Sequence, residues 1–144
     1  MEGRFLGLPS IAVSLASNNP RYYDTAAKVA LDLVNRLSMK PFDSMVIFNV
    51  NVPDIPYEDV QGFEVTRLGT RHSAEPTIRS KDPRGRDIFW IGPAGKAADA
   101  GVGTDFHAID KNKVSITPLR VDITDNAMLP YLQQWLSDSE KEKK

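Results

Sequence analysis

The sequence contains no cysteine, so neither a disulfide nor a thiolate metal site can form, and the chain fits a reducing compartment. It also lacks an excess of charge of either sign. Lys and Arg number 18 and Asp and Glu number 19, which gives a formal net charge of −1. Nucleic-acid and acidic-membrane binders normally carry a basic surplus. We therefore expect no nucleic-acid partner.

Long hydrophobic runs are missing as well. No apolar run in the sequence approaches the roughly 20 residues that a helix needs to cross a bilayer. The first nine residues lack the basic leader and long apolar core of a secretory signal peptide. We therefore expect no membrane partner and a cytoplasmic location.

What the sequence does contain is the composition of one ordinary domain. Its 144 residues are 41% hydrophobic and 26% charged, which excludes a fully disordered, collagen-like or coiled-coil chain. Residues 10–16 are apolar at nearly every position, which predicts a strand buried on both faces. Apolar spacing of three and four predicts an amphipathic helix over residues 21–39, capped by Asn19. A second buried strand, residues 45–51, completes a βαβ unit with parallel strands.

The middle of the chain changes to an alternating pattern typical of exposed strands. Residues 62–70 and 87–92 are predicted to pair as a long hairpin, joined by the polar stretch 71–86. Phe89 and Trp90 are neighbours in the second strand, so their side chains project to opposite faces. Because one small domain cannot easily cover both faces of such an arm, we expect these aromatics to lie in an oligomer interface.

The C-terminal third is predicted to add a helix, a strand and a final helix. A glycine-rich turn leads into a helix over 105–111, with Thr104 or Asp105 bonding its free amides. A strand over 113–119 follows, and Thr124 is predicted to cap the last helix. The predicted fold class is α/β. Three parallel strands and two helices would leave an apolar edge of the sheet without a partner strand, so the sheet is expected to be incomplete. Its expected parts are a βαβ core (1–61), a hairpin arm (62–100), a closing strand and helix (101–137) and a charged tail (138–144).

The residues that carry chemistry do not form a recognisable catalytic pattern. His72 and His107 lie far apart, and neither has a metal-ligand or triad pattern beside it. The aspartates between positions 82 and 110 do not follow the spacing of a calcium loop. Asn49 and Asn51 lie near the carboxyl end of a central strand, where ligands bind in open α/β sheets. Our preferred interpretation is that these two amides brace the adjoining loop.

The arm region is locally basic, which has two interpretations. Its cations are Arg67, Arg71, Arg79, Lys81, Arg84 and Arg86. Bidentate arginines suit phosphate or polyphosphate. The preferred alternative is a solvated hairpin whose arginines pair with the neighbouring carboxylates of Glu64, Glu75, Asp82 and Asp87. From the residues alone we expect an α/β chain that self-associates.

Eight short segments occur in a distinctive order along the chain. They are MEGR (1–4), PSIAVSL (9–15), NVNVP (49–53), VTRLGTR (65–71), DPRG (82–85), WIGP (90–93), GTDF (103–106) and VSITPL (114–119). Each is unspecific alone. Together they resemble the C-terminal half of the SurE (survival protein E) family and cover the chain from Met1 to about Leu136.

The resemblance implies both a fold and a function. Family members are cytoplasmic, divalent-metal-dependent phosphatases that act on nucleoside 5′- and 3′-monophosphates, and some also shorten polyphosphate. The implied fold is the C-terminal part of a Rossmann-like SurE fold, with a projecting β-hairpin arm and a swapped C-terminal helix that build dimers and tetramers. For the intact protein the resemblance implies magnesium or manganese as the cofactor and nucleoside monophosphates as ligands.

The metal-binding motifs of the family are absent from this sequence. They are an Asn-Asp-Asp-Gly segment, a downstream Ser and an Asn in a Ser-Gly-Ile-Asn segment, and all precede the part that this chain resembles. The sequence therefore resembles a truncated member, and we predict no catalytic residue, no metal ligand and no metal bound to this chain alone. The candidate cleft-lining residues are Ser14, Asn49 and Asn51. The candidate oligomer-interface residues are Arg67, Phe89 and Trp90.

Two functions stay open. In one, the chain is the cleft-lining and oligomerisation half of a nucleotide phosphatase and is inactive alone. In the other, it is a non-catalytic oligomerisation or binding module. The missing Asn-Asp-Asp-Gly segment fits both.

Overall fold

The computed structural model describes residues 2–41, 46–73 and 76–141. Position 45, with which the second strand was expected to start, and Glu75, an expected ion-pair partner, lie outside these residues. The helices are α1 (Glu2–Phe5), α2 (Tyr23–Met39), α3 (Asp105–Asp110) and α4 (Leu129–Lys141). The strands are β1 (Ser10–Leu15), β2 (Ile47–Val52), β3 (Phe63–Val65), β4 (Thr70–Arg71), β5 (Ile78–Lys81), β6 (Asp87–Trp90), β7 (Ala97–Asp99) and β8 (Val114–Leu119).

A four-stranded sheet with the order β1-β2-β8-β3 forms the centre of the molecule. The prediction that β1 and β2 are parallel is confirmed, with Ser10 opposite Ile47 and Leu15 opposite Val52. The expectation that the closing strand is also parallel to them is wrong, because β8 runs antiparallel to β2 and parallel to β3. After α3 the chain returns to the end of the sheet where β2 stops, so β8 starts there and runs back.

The core lies between α2 and the apolar face of the sheet. Val29 of α2 is fully buried, as are Val50, Val52 and Val114 of the two central strands. Each buried valine contributes on the order of 1.5–3 kcal/mol to the free energy of unfolding. The spacing of three and four in the helix and of two in the strands puts these four side chains on facing surfaces.

The other face of the sheet is polar. Thr66, Ser115 and Thr117 are buried there, and the Thr66 hydroxyl lies 2.8 Å from that of Ser115 and 2.7 Å from that of Thr117. These contacts satisfy polar groups that would otherwise be buried without a partner. A buried hydroxyl cluster thus joins β8 to the residue that follows β3.

The β1 strand is an outer strand of the central sheet. Ala12, Val13 and Ser14 are exposed, with 37% of Val13 accessible. The prediction of a strand buried on both faces is therefore wrong for β1. Within the described part of the chain, no strand pairs with its free edge.

Helix α2 starts differently from the prediction. Asn19 does not cap it; instead, Asp54 beyond β2 accepts hydrogen bonds at 2.9 Å from the backbone amides of Arg21 and Tyr22. The hydroxyl of Thr25 donates to the Ile55 carbonyl at 2.8 Å. The loop after β2 is thereby tied to the first turn of α2, a long-range contact that the local sequence pattern does not encode.

The arm consists of two short strand pairs. β4 pairs with β7, and further along β5 pairs with β6. The expected pairing of residues 62–70 with 87–92 is therefore wrong. β3 joins the central sheet, and the polar stretch 71–86 itself contributes β5. A tight turn, in which Gly85 adopts φ +79°, lets the adjacent strands β5 and β6 pair locally.

The final helix begins later and ends later than expected. Thr124 lies outside it, and Asp125 accepts hydrogen bonds from Ala127 and Met128 in the turn before α4. The helix continues to Lys141, past the expected boundary at residue 137. Among the described residues, no helix is long and apolar enough to cross a membrane.

The Asp54 cap leads to a prediction about pH. The amides of Tyr22 and Arg21 lower the pKa of Asp54 below its ordinary 3.8, because they bond to the ionised carboxylate. A lowered folded-state pKa stabilises the fold above pH 3.8, and the contribution is lost as the pH falls from there through the folded-state value. Asp54→Asn should lower the urea midpoint of unfolding at pH 7. The difference in midpoint between this variant and the unsubstituted chain should become smaller below pH 3.8.

The control for this experiment is Asp110→Asn. Asp110 is exposed at the end of α3, and its one ion pair among the described residues is with its neighbour Lys111 at 3.3 Å. Its loss should therefore leave the midpoint nearly unchanged. If the difference in urea midpoint for Asp54→Asn stays constant down to acid pH, the ionised Asp54 carboxylate does not stabilise the start of α2.

Candidate binding cleft

A cleft of about 630 Å³ opens beside the carboxyl ends of β1 and β2. This is the end of an open α/β sheet at which ligands bind. Three parts of the chain line it: the loop after β1 with the end of β2, the segment that enters the arm, and helix α3. The residues are Ala16, Ser17, Asn18, Asn51, Leu68, Gly69, Arg71, Asp105, Phe106 and Ile109.

Helix α3 is fixed at one side of the cleft by its first residues. Thr104 is fully buried, and its hydroxyl accepts from the His107 amide at 3.2 Å. Asp105 Oδ1 accepts from the amides of Gly69 and Phe106, at 2.8 and 2.9 Å. The prediction that Thr104 or Asp105 bonds the free amides is confirmed for both residues. The Asp105 carboxylate also ties α3 to the segment that enters the arm.

Gly69 is needed where this segment meets α3. A Cβ at this position would overlap the Asp99 carbonyl oxygen and the ring of Phe106. A glycine therefore permits the backbone to pass close to Phe106, which is one wall of the cleft.

Arg71 lies on the same wall and is held by two contacts. Its guanidinium lies over the ring of Phe106, 4.9 Å from the ring centre. Its Nη1 donates to the Gly95 carbonyl at 3.2 Å. A cation over an aromatic face is favourable by about 0.5–1 kcal/mol at exposed sites. The side chain is thus oriented although it is accessible to solvent.

The three candidate cleft-lining residues do not all lie at this cleft. Asn51, at the end of β2, lines it, whereas Ser14 and Asn49 are not among the lining residues. Ser14 is exposed on the outer strand and lies opposite Asn51 in the register. Asn49 is half-buried and lies opposite Ala12 and Thr117.

Most of the arginines named in the sequence analysis pair with carboxylates. Arg67 pairs with Asp99, Arg79 with Asp87, and Arg86 with Asp82. Glu64, another expected partner, instead pairs with Lys113 at 2.9 Å. Hydrogen bonding to Arg67 lowers the pKa of Asp99, and hydrogen bonds from Arg86 lower that of Asp82. The solvated-hairpin interpretation is therefore confirmed for Arg79 and Arg86, whereas Arg67 pairs with Asp99, a carboxylate outside the expected set.

The histidines and aspartates stay apart from one another. His72 is exposed in the arm, and the buried Nδ1 of His107 has no hydrogen-bond partner among the described residues. Across residues 2–41, 46–73 and 76–141, no three His, Asp or Glu side chains lie close enough together to hold a metal ion. The donors that the structure describes therefore do not fit a divalent metal on this chain alone.

The candidate interface residues lie on or beside the arm. Phe89 and Trp90 of β6 are 65% and 61% exposed. Arg67 precedes the arm; its backbone amide donates to Gly103 and its carbonyl accepts from Asp105. Its guanidinium is engaged by Asp99 of the same chain.

The sequence pattern does not mark several cleft residues. In the sequence Arg71 is one of several arm cations, and nothing singles out Phe106 or Ile109 as cleft residues. Both side chains come from a short helix that is distant in sequence from β1 and β2. No local pattern marks them, because the cleft exists only once α3 has packed beside β8.

The sequence and the fold of this chain are similar to those of proteins of one family. The model of the family described as Survival protein SurE matches residues 1–75, which is more than half of the chain. The chain belongs to the SurE family. It is 56% identical over 135 residues to the 5′-nucleotidase SurE of Methylococcus capsulatus, covering 94% of this chain and 54% of that protein. With the 5′-nucleotidase SurE of Coxiella burnetii it shares 57% identity over 136 residues, with 94% and 53% covered.

The fold agrees with a solved SurE structure. The crystal structure of the SurE protein from Aquifex aeolicus matches with a TM-score of 0.73 and 34% identity, over 93% of this chain and 54% of that one. The α/β SurE fold predicted from the sequence is therefore confirmed. The chain spans about half the length of the curated SurE relatives it matches.

The close approach at Gly69 leads to a second prediction. Gly69→Ala should lower the free energy of unfolding by about 1–3 kcal/mol, because the new methyl overlaps a backbone carbonyl and an aromatic ring. Urea denaturation measures this loss.

Gly101→Ala is the matched control, since a Cβ there would make only an ordinary contact, 3.7 Å from an Asp99 carboxylate oxygen. Its unfolding free energy should change by less than about 0.5 kcal/mol. Equal stabilities of the two alanine variants would show that the chain does not pack closely at Gly69.

Proposed function

We propose that the intact SurE protein corresponding to this chain is a divalent-metal-dependent 5′-nucleotidase, and that this chain forms one wall of its substrate cleft. The observation that carries the proposal is identity of 56–57% to proteins named 5′-nucleotidase SurE over 94% of the chain. The substrates would be nucleoside monophosphates, with 3′-monophosphates and polyphosphate as further candidates. The absence of cysteine is compatible with a cytoplasmic location, which we propose as well.

The cleft supports a small-molecule substrate. A volume of about 630 Å³ lies within the range of roughly 300–1,000 Å³ that is common for ligand sites. Its lining combines amides and hydroxyls (Ser17, Asn18, Asn51) with the apolar surfaces of Leu68, Phe106 and Ile109. A nucleotide has both kinds of surface, a polar sugar and phosphate and an aromatic base.

The metal ligands would have to come from the part of the relatives that this chain does not span. Asp105, the carboxylate in the cleft, already holds two backbone amides with one oxygen. We therefore propose that this chain alone does not release phosphate from nucleotides. Magnesium or manganese would bind only when the remaining part of a SurE protein is present.

A fusion experiment tests this proposal. The chain alone, incubated with AMP or GMP and manganese or magnesium, should release no phosphate. A fusion that adds the N-terminal remainder of the Methylococcus capsulatus relative before residue 1 should release phosphate in a metal-dependent manner. Manganese-stimulated release by the chain alone, abolished by EDTA and by Asp105→Asn, would contradict its inactivity. An inactive but folded fusion would contradict the nucleotidase function.

The exposed apolar side chains favour self-association, which we propose as the second role of this chain. Phe89 and Trp90 project from the arm, and one face of α4 carries further exposed apolar side chains, Leu129, Leu132, Trp135 and Leu136. An apolar groove of about 440 Å³ lies between α2 and the sheet, beside Ile11, Phe48 and Ile116. A second copy would bury these surfaces in a dimer or tetramer. The same features support the alternative of a non-catalytic oligomerisation module.

The arm aromatics lead to a prediction about assembly. Trp90→Ala should weaken association by about 3–5 kcal/mol, the range typical of a truncated buried aromatic. Sedimentation over a series of protein concentrations measures the change. Thr77→Ala, an exposed position on the same arm, should leave association unchanged. A monodisperse monomer at all concentrations would contradict the interface.

A further inference from the structure

Arg71 differs from the arginines that surround it. Arg67, Arg79 and Arg86 each have a carboxylate partner. Within the described part of the chain, no carboxylate forms an ion pair with Arg71. Its contacts are the Gly95 carbonyl and the ring of Phe106. Among the described residues, its positive charge is therefore not paired with a carboxylate.

This charge lies in the cleft. Arg71 lines the cleft together with Asn51 from the end of β2 and Ser17 from the loop after β1. One of its N–H groups donates to Gly95, and the others have no acceptor among the described residues. The planar guanidinium presents its donors in a fixed fork that matches two oxygens of a phosphate group.

The surroundings hold Arg71 in place before a ligand arrives. The ring of Phe106 supports one face of the guanidinium, and Gly95 fixes one edge. The backbone at Gly95 is itself closely packed, since a Cβ there would overlap the carbonyls of His72 and Ser73. A side chain that is already oriented loses less conformational entropy on binding.

We propose that Arg71 binds the phosphate group of the nucleoside monophosphate in this cleft. The inference rests on the proposed function for the identity of the ligand. For the site it rests on a guanidinium in the cleft that no described carboxylate pairs with. Asp105 also lines the cleft, and its negative charge opposes an anion. Two backbone amides donate to its Oδ1, which offsets part of that charge and keeps the carboxylate fixed against Gly69 and Phe106.

The test uses the chain as it stands, because phosphate binding by Arg71 needs no catalysis. Binding of AMP, inorganic phosphate and adenosine is measured by NMR titration on the unsubstituted chain, Arg71→Ala, Arg71→Lys and Arg84→Ala. Arg84 is an exposed arm arginine outside the cleft and serves as the matched control. Arg71→Lys keeps the positive charge but loses the two parallel donors of the guanidinium. If the alanine variant does not fold, the lysine variant still tests the site.

We expect Arg71→Ala to weaken AMP and phosphate binding at least tenfold and Arg71→Lys to weaken both by a smaller factor. Adenosine binding and the Arg84→Ala variant should be unchanged. Equal AMP affinity in the Arg71 variants and the unsubstituted chain would overturn the inference. So would an equal loss for adenosine, or no AMP binding by the unsubstituted chain at millimolar concentrations.

The fusion protein separates this inference from the proposed function. An active fusion in which Arg71→Ala leaves the KM for AMP unchanged would overturn the role of Arg71 and leave the nucleotidase in place. If the fusion binds phosphate through Arg71 but hydrolyses no nucleotide, phosphate binding by Arg71 is supported and the nucleotidase function is contradicted.

Discussion

The packing of α2 against the central sheet is the interaction on which the rest of the structure depends. Val29 meets Val50, Val52 and Val114 in a fully buried cluster, and burial of apolar surface is the main favourable term in folding. This contact fixes the central strands. Their fixed ends then position the loop after β1, the Asp54 cap and, through β8, helix α3. The cleft is therefore a consequence of one small hydrophobic core.

A shortage of covering surface is the second constraint. The free edge of β1 is unpaired among the described residues, and the aromatics of the arm and the apolar face of α4 are exposed. A small domain buries a small fraction of its surface on folding, so its stability is marginal. Each large apolar group that stays in water reduces that stability further. These surfaces are the parts of the described chain whose apolar groups the central core does not cover.

The charges of the arm show how tertiary structure divides residues that look alike in sequence. Arg67, Arg79 and Arg86 pair with carboxylates brought near by strand pairing and tight turns. Arg71 is separated from such partners because β4 directs it toward α3, where it meets Phe106. The sequence presents the four as one basic stretch. Only folding pairs three of them with carboxylates and places one in the cleft.

The sequence by itself determined the elements with a strong local pattern: the helix from Tyr23 to Met39, the parallel pair β1 and β2, and the Thr104 cap of α3. Periodicity and capping act between residues that are close along the chain, so a single sequence shows them. The direction of β8, the pairing of β5 with β6 and the capping of α2 by Asp54 were decided by tertiary structure. So was the meeting of Arg71, Phe106 and Asn51 at one cleft. These depend on packing between segments distant in sequence, and no local pattern specifies which distant segment a given face will meet.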